Sequence, residues 1–331
     1  MMAALHGAEF FCLAMVAALA LCSVATASLV AIFGVSLRGW APRTRHRALL
    51  FIAALPVVAA GALLLSATLP GLVSLIVPEW DHCSLHNDCH PHLCLRHLPA
   101  MGMNRIFVAL LAVIIGYSVL RATSACFRIH RAIRIVRTLA RSGDPLDSAD
   151  VTVIDSKAAL CVSAGLFAPK IIISRHLFES LRLDEREIML AHERAHVARR
   201  DALAATIVRI LSSVHLPATA RWLNSELEVA AEQACDEVAA IRTGDRLAVA
   251  ETILTVERAI RVAPPHHLGA VVVGFAPQAT ARRVEALLND KIESGSLQPL
   301  AIGLGIFMLV ALATSPELHH NFESILATIA Y

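Results

Sequence analysis

Four long stretches without a charged side chain dominate this 331-residue chain, at residues 10–37, 48–78, 106–120 and 294–316. Three of them exceed the roughly 20 residues with which a helix crosses about 30 Å of hydrocarbon. The third reaches that length because Arg121 can extend to the headgroups while residues 122–127 continue the apolar run. The chain is 56% hydrophobic but only 5% aromatic, which is rare among soluble enzymes. The sequence therefore predicts an α-helical membrane protein with four transmembrane helices, at about residues 10–37, 48–78, 104–121 and 294–316.

Arginines distinguish the two sides of the predicted bundle. Residues 38–47 hold four arginines and no acid, and six more arginines follow the third span before the first acid, Asp144. The second loop contains three acids against two arginines, Arg96 and Arg105, and residues 317–331 contain two acids and no Lys or Arg. Because short loops rich in Lys and Arg remain in the cytoplasm, we expect a multi-pass protein of the inner (cytoplasmic) membrane with both termini extracytoplasmic.

The expected organisation follows from these spans. Residues 1–121 form three spans with an extracytoplasmic loop at 79–104, residues 122–293 form a cytosolic domain, and a short extracytoplasmic tail at 317–331 follows the fourth span at 294–316. The cytosolic segment is long enough for one domain with its own core. Its first part, residues 122–142, is arginine-rich and amphipathic, which fits either a helix along the inner leaflet or a plain extension of the third span.

The remainder of that domain combines strands and helices. β-Branched runs at residues 151–154 and 170–174, with a third candidate at 158–165, predict a small sheet. An exposed edge strand of this sheet could pair with an extended peptide, or the strands could only pack the core. Helical patterns follow at residues 202–216, 220–241, 247–262 and 280–290.

A helix of this domain carries the pattern His192, Glu193 and His196. Residues four apart share a helix face, so both imidazoles can bind one metal ion while Glu193 projects to one side. Catalytic zinc sites use three protein ligands and leave the fourth position for water. The third ligand is expected to be Glu232, which lies 36 residues after His196 in a stretch without Pro or Gly. The pattern predicts one catalytic Zn²⁺ ion with Glu193 as general base, against the alternative of a solvated helix with two incidental histidines.

Two further acids could support the zinc ligands. Asp236 follows Glu232 by one helical turn and could accept the second ring N–H of a liganding histidine. Asp201 is a weaker candidate, which could instead cap a helix. The longer three-histidine signature is absent, because Arg199 and Ala202 occupy the positions of its glycine and third histidine.

The extracytoplasmic loop is unusually rich in potential metal ligands. Five of the 16 histidines and three of the eight cysteines lie within 16 residues: His82, Cys83, His86, Cys89, His90, His92, Cys94 and His97. Such tracts commonly bind transition metals, which would make this loop a second metal site or a redox sensor. The alternatives are one structural disulfide with a spare thiol, or no role.

These features resemble the membrane zinc metallopeptidases of the β-lactam sensor-transducer type, the BlaR/MecR-like antirepressor family. The resemblance rests on the four-span layout, residues 165–171, the metal helix with Asp201 beyond it, and residues 232–236. It implies a gluzincin-like α+β domain in which His192, His196 and Glu232 bind zinc and Glu193 activates water. It also implies signal-responsive cleavage of a cytoplasmic protein, for which a winged-helix transcriptional repressor is one candidate, and self-cleavage as in many members.

The chain departs from that family at its end. The sensor-transducers carry a large penicillin-binding domain after the fourth span, whereas only residues 317–331 follow here, without a Ser-x-x-Lys motif. We therefore expect no β-lactam sensing.

Two other functions stay open. One is a housekeeping zinc peptidase that removes misfolded membrane proteins. The other is a non-catalytic receptor with structural zinc, which would need a fourth protein ligand, with Cys235 the nearest candidate. The lipid bilayer and a cytoplasmic protein are the expected partners, direct nucleic acid binding is not expected, and the oligomeric state is left open.

Overall fold

The computed structural model describes residues 2–77, 104–146, 150–262, 277–289 and 295–330. The Cys/His-rich tract lies outside these residues. The helices are α1 Met2–Phe33, α2 Pro42–Ile76, α3 Arg105–Ser142, α4 Arg175–Ser180, α5 Leu183–Arg199, α6 Asp201–Leu211, α7 Pro217–Thr243, α8 Arg246–Val262, α9 Pro277–Leu288, α10 Gln298–Ala313 and α11 Ser315–Ala330. The strands are β1 Asp144–Pro145, β2 Val151–Ile154, β3 Cys161–Ala164 and β4 Lys170–Ser174.

Three helices are long and apolar enough to cross a membrane, namely α1, α2 and α3. Apolar residues of α1 and α2 form a common core, which includes Phe10, Ala14 and Ala60. Many large apolar side chains of these helices point outward, as contact with lipid requires, and α3 is almost entirely exposed over its apolar half. These helices indicate a membrane protein.

The region expected to form the fourth span is broken. The helices α10 and α11 have 16 residues each and are bent by 76° against one another, so they provide a fourth crossing only if the bent pair acts as one span. Pro316 lies at the break, where its missing N–H and its ring prevent a continuous helix. Most of the residues expected to form a short tail, 317–331, belong to α11. This helix packs against α2, where the Ser315 hydroxyl at its start donates to the Ser66 carbonyl at 2.6 Å.

Helix α3 continues without interruption from its apolar half into the region of the sheet. Its last turns place Ile135 and Leu139 against Ile154 and Ile172, so residues 122–142 extend the third span and cover one face of the sheet. Arg121 does not reach outward but donates to the carbonyls of three residues in the turn after α6: Ser212, Ser213 and His215.

The expected small sheet is confirmed, with strand order β1-β2-β4-β3. Strand β2 runs parallel to β4, and β3 is an edge strand antiparallel to β4. Alternate residues face opposite sides: Val153, Ile173 and Cys161 pack towards α5, whereas Ile154 and Ile172 pack towards α3. Both faces of the sheet are therefore covered.

A sharp turn and a long neighbouring helix position the residues around α5. Arg200 alone joins α5 to α6 and adopts a left-handed conformation with φ of 56°, which turns the chain sharply after the second histidine. The long helix α7 then runs beside α5 and also packs on α2, where Leu49 and Ile52 meet Leu223 and Leu227. The helices that carry the expected metal ligands thus share a core with a membrane helix.

Candidate metal centre

The two histidines of α5 converge on one point. Their Nε2 atoms lie 3.1 Å apart, and both side chains are nearly buried, with 13% exposure for His192 and 12% for His196. Helix α5 begins with acids, and the Glu185 carboxylate accepts the backbone N–H of Arg182 at 2.8 Å, which stabilises its first turn. The i, i+4 spacing on this helix brings the imidazoles together as the sequence predicts.

Glu232 of α7 completes the group. One carboxylate oxygen lies 3.4 Å from His192 Nε2 and the other lies 3.4 Å from His196 Nε2. A tetrahedral ion with ligand bonds of 2.0–2.1 Å has ligand atoms about 3.3 Å apart. Each imidazole Nε2 lies close to this distance from the other Nε2, at 3.1 Å, and from one Glu232 oxygen, at 3.4 Å, so the three residues can surround a single ion.

The opposite ring nitrogens are held by two different carboxylates. His192 Nδ1 lies 2.9 Å from Asp236 Oδ1, and His196 Nδ1 lies 2.8 Å from Asp201 Oδ2. Because a carboxylate can only accept, each Nδ1 carries a proton, which leaves each Nε2 as the nitrogen that would bind a metal ion. Asp201 is the first residue of α6, so the sharp turn at Arg200 is what returns this acid to His196.

Arg283 of α9 is a buried residue of the centre that the sequence did not reveal. Its guanidinium holds Asp236 in a fork, with Nε 2.8 Å from Oδ2 and Nη2 2.7 Å from Oδ1, and its Nη1 lies 3.0 Å from Glu232. The only sequence signal was indirect: two acids one turn apart on a buried helix face need a compensating cation.

Charges within the centre outweigh the effect of burial on its titrating groups. Burial lowers the pKa of His196, but the Glu232 charge and the hydrogen bond to Asp201 raise it well above the usual value. Burial likewise lowers the pKa of His192, and Asp236 and Glu232 raise it on balance. The pKa of Glu232 falls well below its usual value because Arg283 and His196 overcome its desolvation. Without a metal ion the centre is thus a network of buried ion pairs.

Glu193 lies beside the sheet, with 9% exposure. Burial raises the pKa of the Cys161 thiol, and the charge of Glu193 together with a hydrogen bond between the two side chains raises it further. Glu193 therefore lies between α5 and the edge strand β3, and it lines the same cavity as His192 and His196.

A cavity of about 740 Å³ opens onto this group. Its walls come from the end of α3, from β3 and the loop that follows it, and from α5, α6, α7, α8 and α9. Arg137, Arg141 and Lys170 stand at its border and have no ion-pair partner within the described ranges, while Arg209 pairs with Glu228 at 3.4 Å. The cavity is large enough for several residues of an extended peptide.

A second group of possible ligands shares His196 with the first. It comprises His196, Asp201 and Cys235, with the Cys235 sulfur 3.5 Å from Asp201 Oδ2. These atoms lie on the Nδ1 side of His196, opposite the Nε2 atom that faces Glu232. Within the described part of the chain, Cys235 therefore does not act as a fourth ligand for the first group, as a closed structural site would need.

Comparison with known families assigns the chain. The sequence model of one family, described as BlaR1 peptidase M56, matches residues 14–287. The chain belongs to the BlaR1 peptidase M56 family. The comparisons with curated proteins and with solved structures gave no match.

The extent of the family match agrees with the structure. It begins in α1 and ends in α9, so it covers the three apolar helices and every residue of the metal centre from His192 to Arg283. The M56 assignment and the apolar helices together identify a membrane metallopeptidase. The helices α10 and α11 lie beyond the matched region.

Proposed function

We propose that this M56 peptidase is a zinc-dependent endopeptidase that cleaves a cytoplasmic protein. The observation that carries the proposal is the convergence of two imidazoles and one carboxylate, with ligand atoms within 4.8 Å of one another, beside a buried glutamate. Two imidazoles with one carboxylate are a ligand set of catalytic zinc, which leaves one coordination position open. Bound at these residues, zinc would supply a Lewis acid that lowers the pKa of water and polarises the scissile carbonyl.

The protein residues would divide the remaining work. His192, His196 and Glu232 hold the metal, while Asp236 and Asp201 fix the two imidazole tautomers from behind. Glu193 accepts a proton from the attacking water and returns it to the leaving amine. Arg283 neutralises Asp236 and Glu232 and so keeps both carboxylates ionised in a buried site.

The edge strand β3 offers a place for the substrate backbone. The Ser174 N–H donates to the Leu160 carbonyl at 2.8 Å, and hydrogen-bonded pairs alternate with non-bonded pairs along an antiparallel ladder. The backbone groups of Cys161 and Ser163 therefore point away from β4 towards the free edge. A peptide in extended form could pair with them and pass Glu193 and the metal ligands.

The nature of the substrate and the trigger are part of the proposal. The arginine-rich segments support a cytoplasmic catalytic domain. The family assignment supports a signal-responsive role in which a cytoplasmic repressor is cut, with self-cleavage as a further step. Among the alternatives, a housekeeping quality-control peptidase would use the same chemistry without an external signal.

Substitution of Glu193 tests the enzymatic assignment. Glu193→Gln in the full-length protein should keep one zinc ion per chain but lower peptide hydrolysis by at least about a hundredfold, since general base catalysis contributes 10²–10⁴. Glu187→Gln is the matched control, because Glu187 is exposed on the same helix. Metal content is measured by elemental analysis and cleavage with a casein-derived fluorogenic peptide mixture. Undiminished cleavage by Glu193→Gln would remove Glu193 from the mechanism.

The same variant separates the candidate functions. Proteins captured by Glu193→Gln in the membrane should include one dominant cytoplasmic species if the enzyme is a signalling protease. A broad set of membrane proteins would instead favour quality control. Zinc binding without any hydrolysis by the wild-type protein would favour the non-catalytic receptor.

A further inference from the structure

The start of membrane helix α2 reaches the metal centre through His46. This residue precedes the long apolar run of α2 and is buried, with 6% exposure. Its Nε2 atom lies 3.7 Å from Asp201 Oδ1. Asp201 is the same carboxylate whose other oxygen accepts from His196.

The two oxygens of Asp201 have different surroundings. Oδ2 lies 2.8 Å from His196 Nδ1 and also accepts from Arg199 Nε at 3.2 Å. Oδ1 is buried and has no hydrogen-bond partner among the described residues, and the same holds for His46 Nε2. A buried carboxylate oxygen without a donor is unfavourable, and the ring nitrogen that faces it, His46 Nε2, also lacks a partner among the described residues. At 3.7 Å the pair is about 0.7 Å longer than an ordinary N–H···O bond of about 3.0 Å.

The packing around His46 makes this distance depend on α2. Leu49 and Ala53, on the following turns of α2, contact the core formed with Val208 of α6 and Leu227 of α7. His215, just after α6, also binds α2 through the Ala53 carbonyl at 3.0 Å. A small shift of α2 relative to α6 would therefore close or open the contact between His46 and Asp201.

We propose that His46 is a positioning residue of the metal centre: when α2 shifts enough to close the 3.7 Å gap, His46 donates Nε2–H to Asp201 and thereby fixes the orientation of His196. The inference rests on the proposed metal site, not on the identity of the peptide substrate. On this proposal α2 directly influences metal affinity. A shift of this membrane helix would change how firmly His196 is held at the metal centre. Partners behind a metal ligand typically alter metal affinity by 10–100-fold when they are removed.

A matched pair of amides tests the contact. Gln places its amide nitrogen near the position of histidine Nε2, whereas Asn reaches only as far as Nδ1. His46→Asn should therefore raise the zinc dissociation constant of the full-length protein in detergent by about tenfold. His46→Gln should stay within about threefold of the wild type, as should Arg43→Gln, which changes an exposed residue on the same turn. Zinc affinity is measured by competition with a chromophoric chelator.

A double-mutant cycle distinguishes positioning from general packing. In an Asp201→Ala background, His46→Asn should have no further effect on zinc affinity, because the acceptor is gone. Equal losses in both backgrounds, or wild-type affinity in His46→Asn, would overturn the proposal. If His46→Asn does not fold, His46→Met takes its place in the same cycle with the same expected outcomes.

The outcomes for the wild-type protein separate this inference from the proposed function. Wild-type protein that binds zinc but cleaves nothing would refute the peptidase assignment and leave the contact of His46 testable by affinity. Wild-type protein that binds no zinc would refute both.

Discussion

At the scale of single residues, the centre depends on which carboxylate holds which imidazole. Asp236 and Asp201 come from different helices, and only Asp236 is also held by a buried arginine. Spacing along the sequence predicted the two histidines, and the turn between Glu232 and Asp236 predicted that these acids share a face. The partner of Asp236 could not be predicted, because Arg283 lies 47 residues further on in a helix whose packing is set by tertiary contacts.

Removal of the Asp236 charge should affect metal and fold together. Asp236→Asn keeps the size of the side chain but leaves Arg283 without its closest counter-ion in a buried site. We expect zinc affinity to fall by about 10–100-fold, and the free energy of unfolding of the metal-free protein to fall by about 3 kcal/mol. Glu237→Gln, the next residue on α7, is the control and should change neither. Chelator competition and denaturation in detergent measure the two effects, and an unchanged stability would contradict the role of the ion pair.

The raised pKa values of His192 and His196 give metal binding a definite pH dependence. In the metal-free protein the protonated imidazoles add stability, which is complete below about pH 6.5 and is lost as the pH rises through the raised values. Zinc must displace these protons, so its affinity should fall by about tenfold per pH unit for each protonated histidine as the pH drops from 8.5 to 6. Competition titrations across this range measure the slope. A constant affinity would show that the imidazoles are already neutral.

At the scale of elements, local sequence patterns predicted the strands and the helices around them. They did not predict which strand lies at the edge of the sheet beside Glu193. The β-branched runs predicted β2 and β4 within the observed bounds, and the third candidate contains β3. The order of the strands could not be read from the sequence, because a parallel neighbour is chosen by packing. That order makes β3 an edge strand beside Glu193.

Substitutions in β3 should separate backbone pairing from side-chain effects. Ser163→Pro removes an N–H that points to the free edge and leaves the ladder with β4 intact, so an edge strand can tolerate it. We expect kcat/KM for peptide cleavage to fall by about three- to tenfold, the effect of one net hydrogen bond. Ser163→Ala keeps the N–H and should remain near wild type. Equal activity of the two variants would argue against a substrate strand at this edge.

At the scale of the whole molecule, the part that carries the metal centre has apolar cores of its own and also packs against the membrane helices. One of its apolar cores includes Leu49 and Ile52 of α2, and α3 covers one face of its sheet. The sequence located the three long apolar helices α1, α2 and α3 because hydropathy is a local property, but it did not predict the bend between α10 and α11. It could not show that the two parts share a core, since such contacts join residues far apart in the chain.

Glu226 offers a test of this connection between the membrane helices and the centre. It is 3% exposed on α7 and accepts from Arg38, which precedes α2, and from Arg282, which precedes Arg283 on α9, at 3.1 and 2.7 Å. Desolvation raises its pKa, but Arg282 and Arg38 lower it on balance, so the carboxylate is ionised at neutral pH. Glu226→Gln leaves these cations without a buried counter-ion, and we expect the free energy of unfolding to fall by about 3 kcal/mol.

The control for Glu226 lies two residues away on the same helix. Glu228 pairs with Arg209, but both side chains are about one-third exposed, so Glu228→Gln should cost less than about 1 kcal/mol. Arg282, which pairs with Glu226, precedes Arg283, which pairs with Glu232. Glu226→Gln should therefore also weaken zinc binding. If the contact of Glu226 does not influence the metal centre, only the stability should change. Unfolding in detergent and zinc competition on the same samples decide between these cases. Equal stabilities for the two variants would mean that α2, α7 and α9 are joined by their apolar contacts and not by this charge.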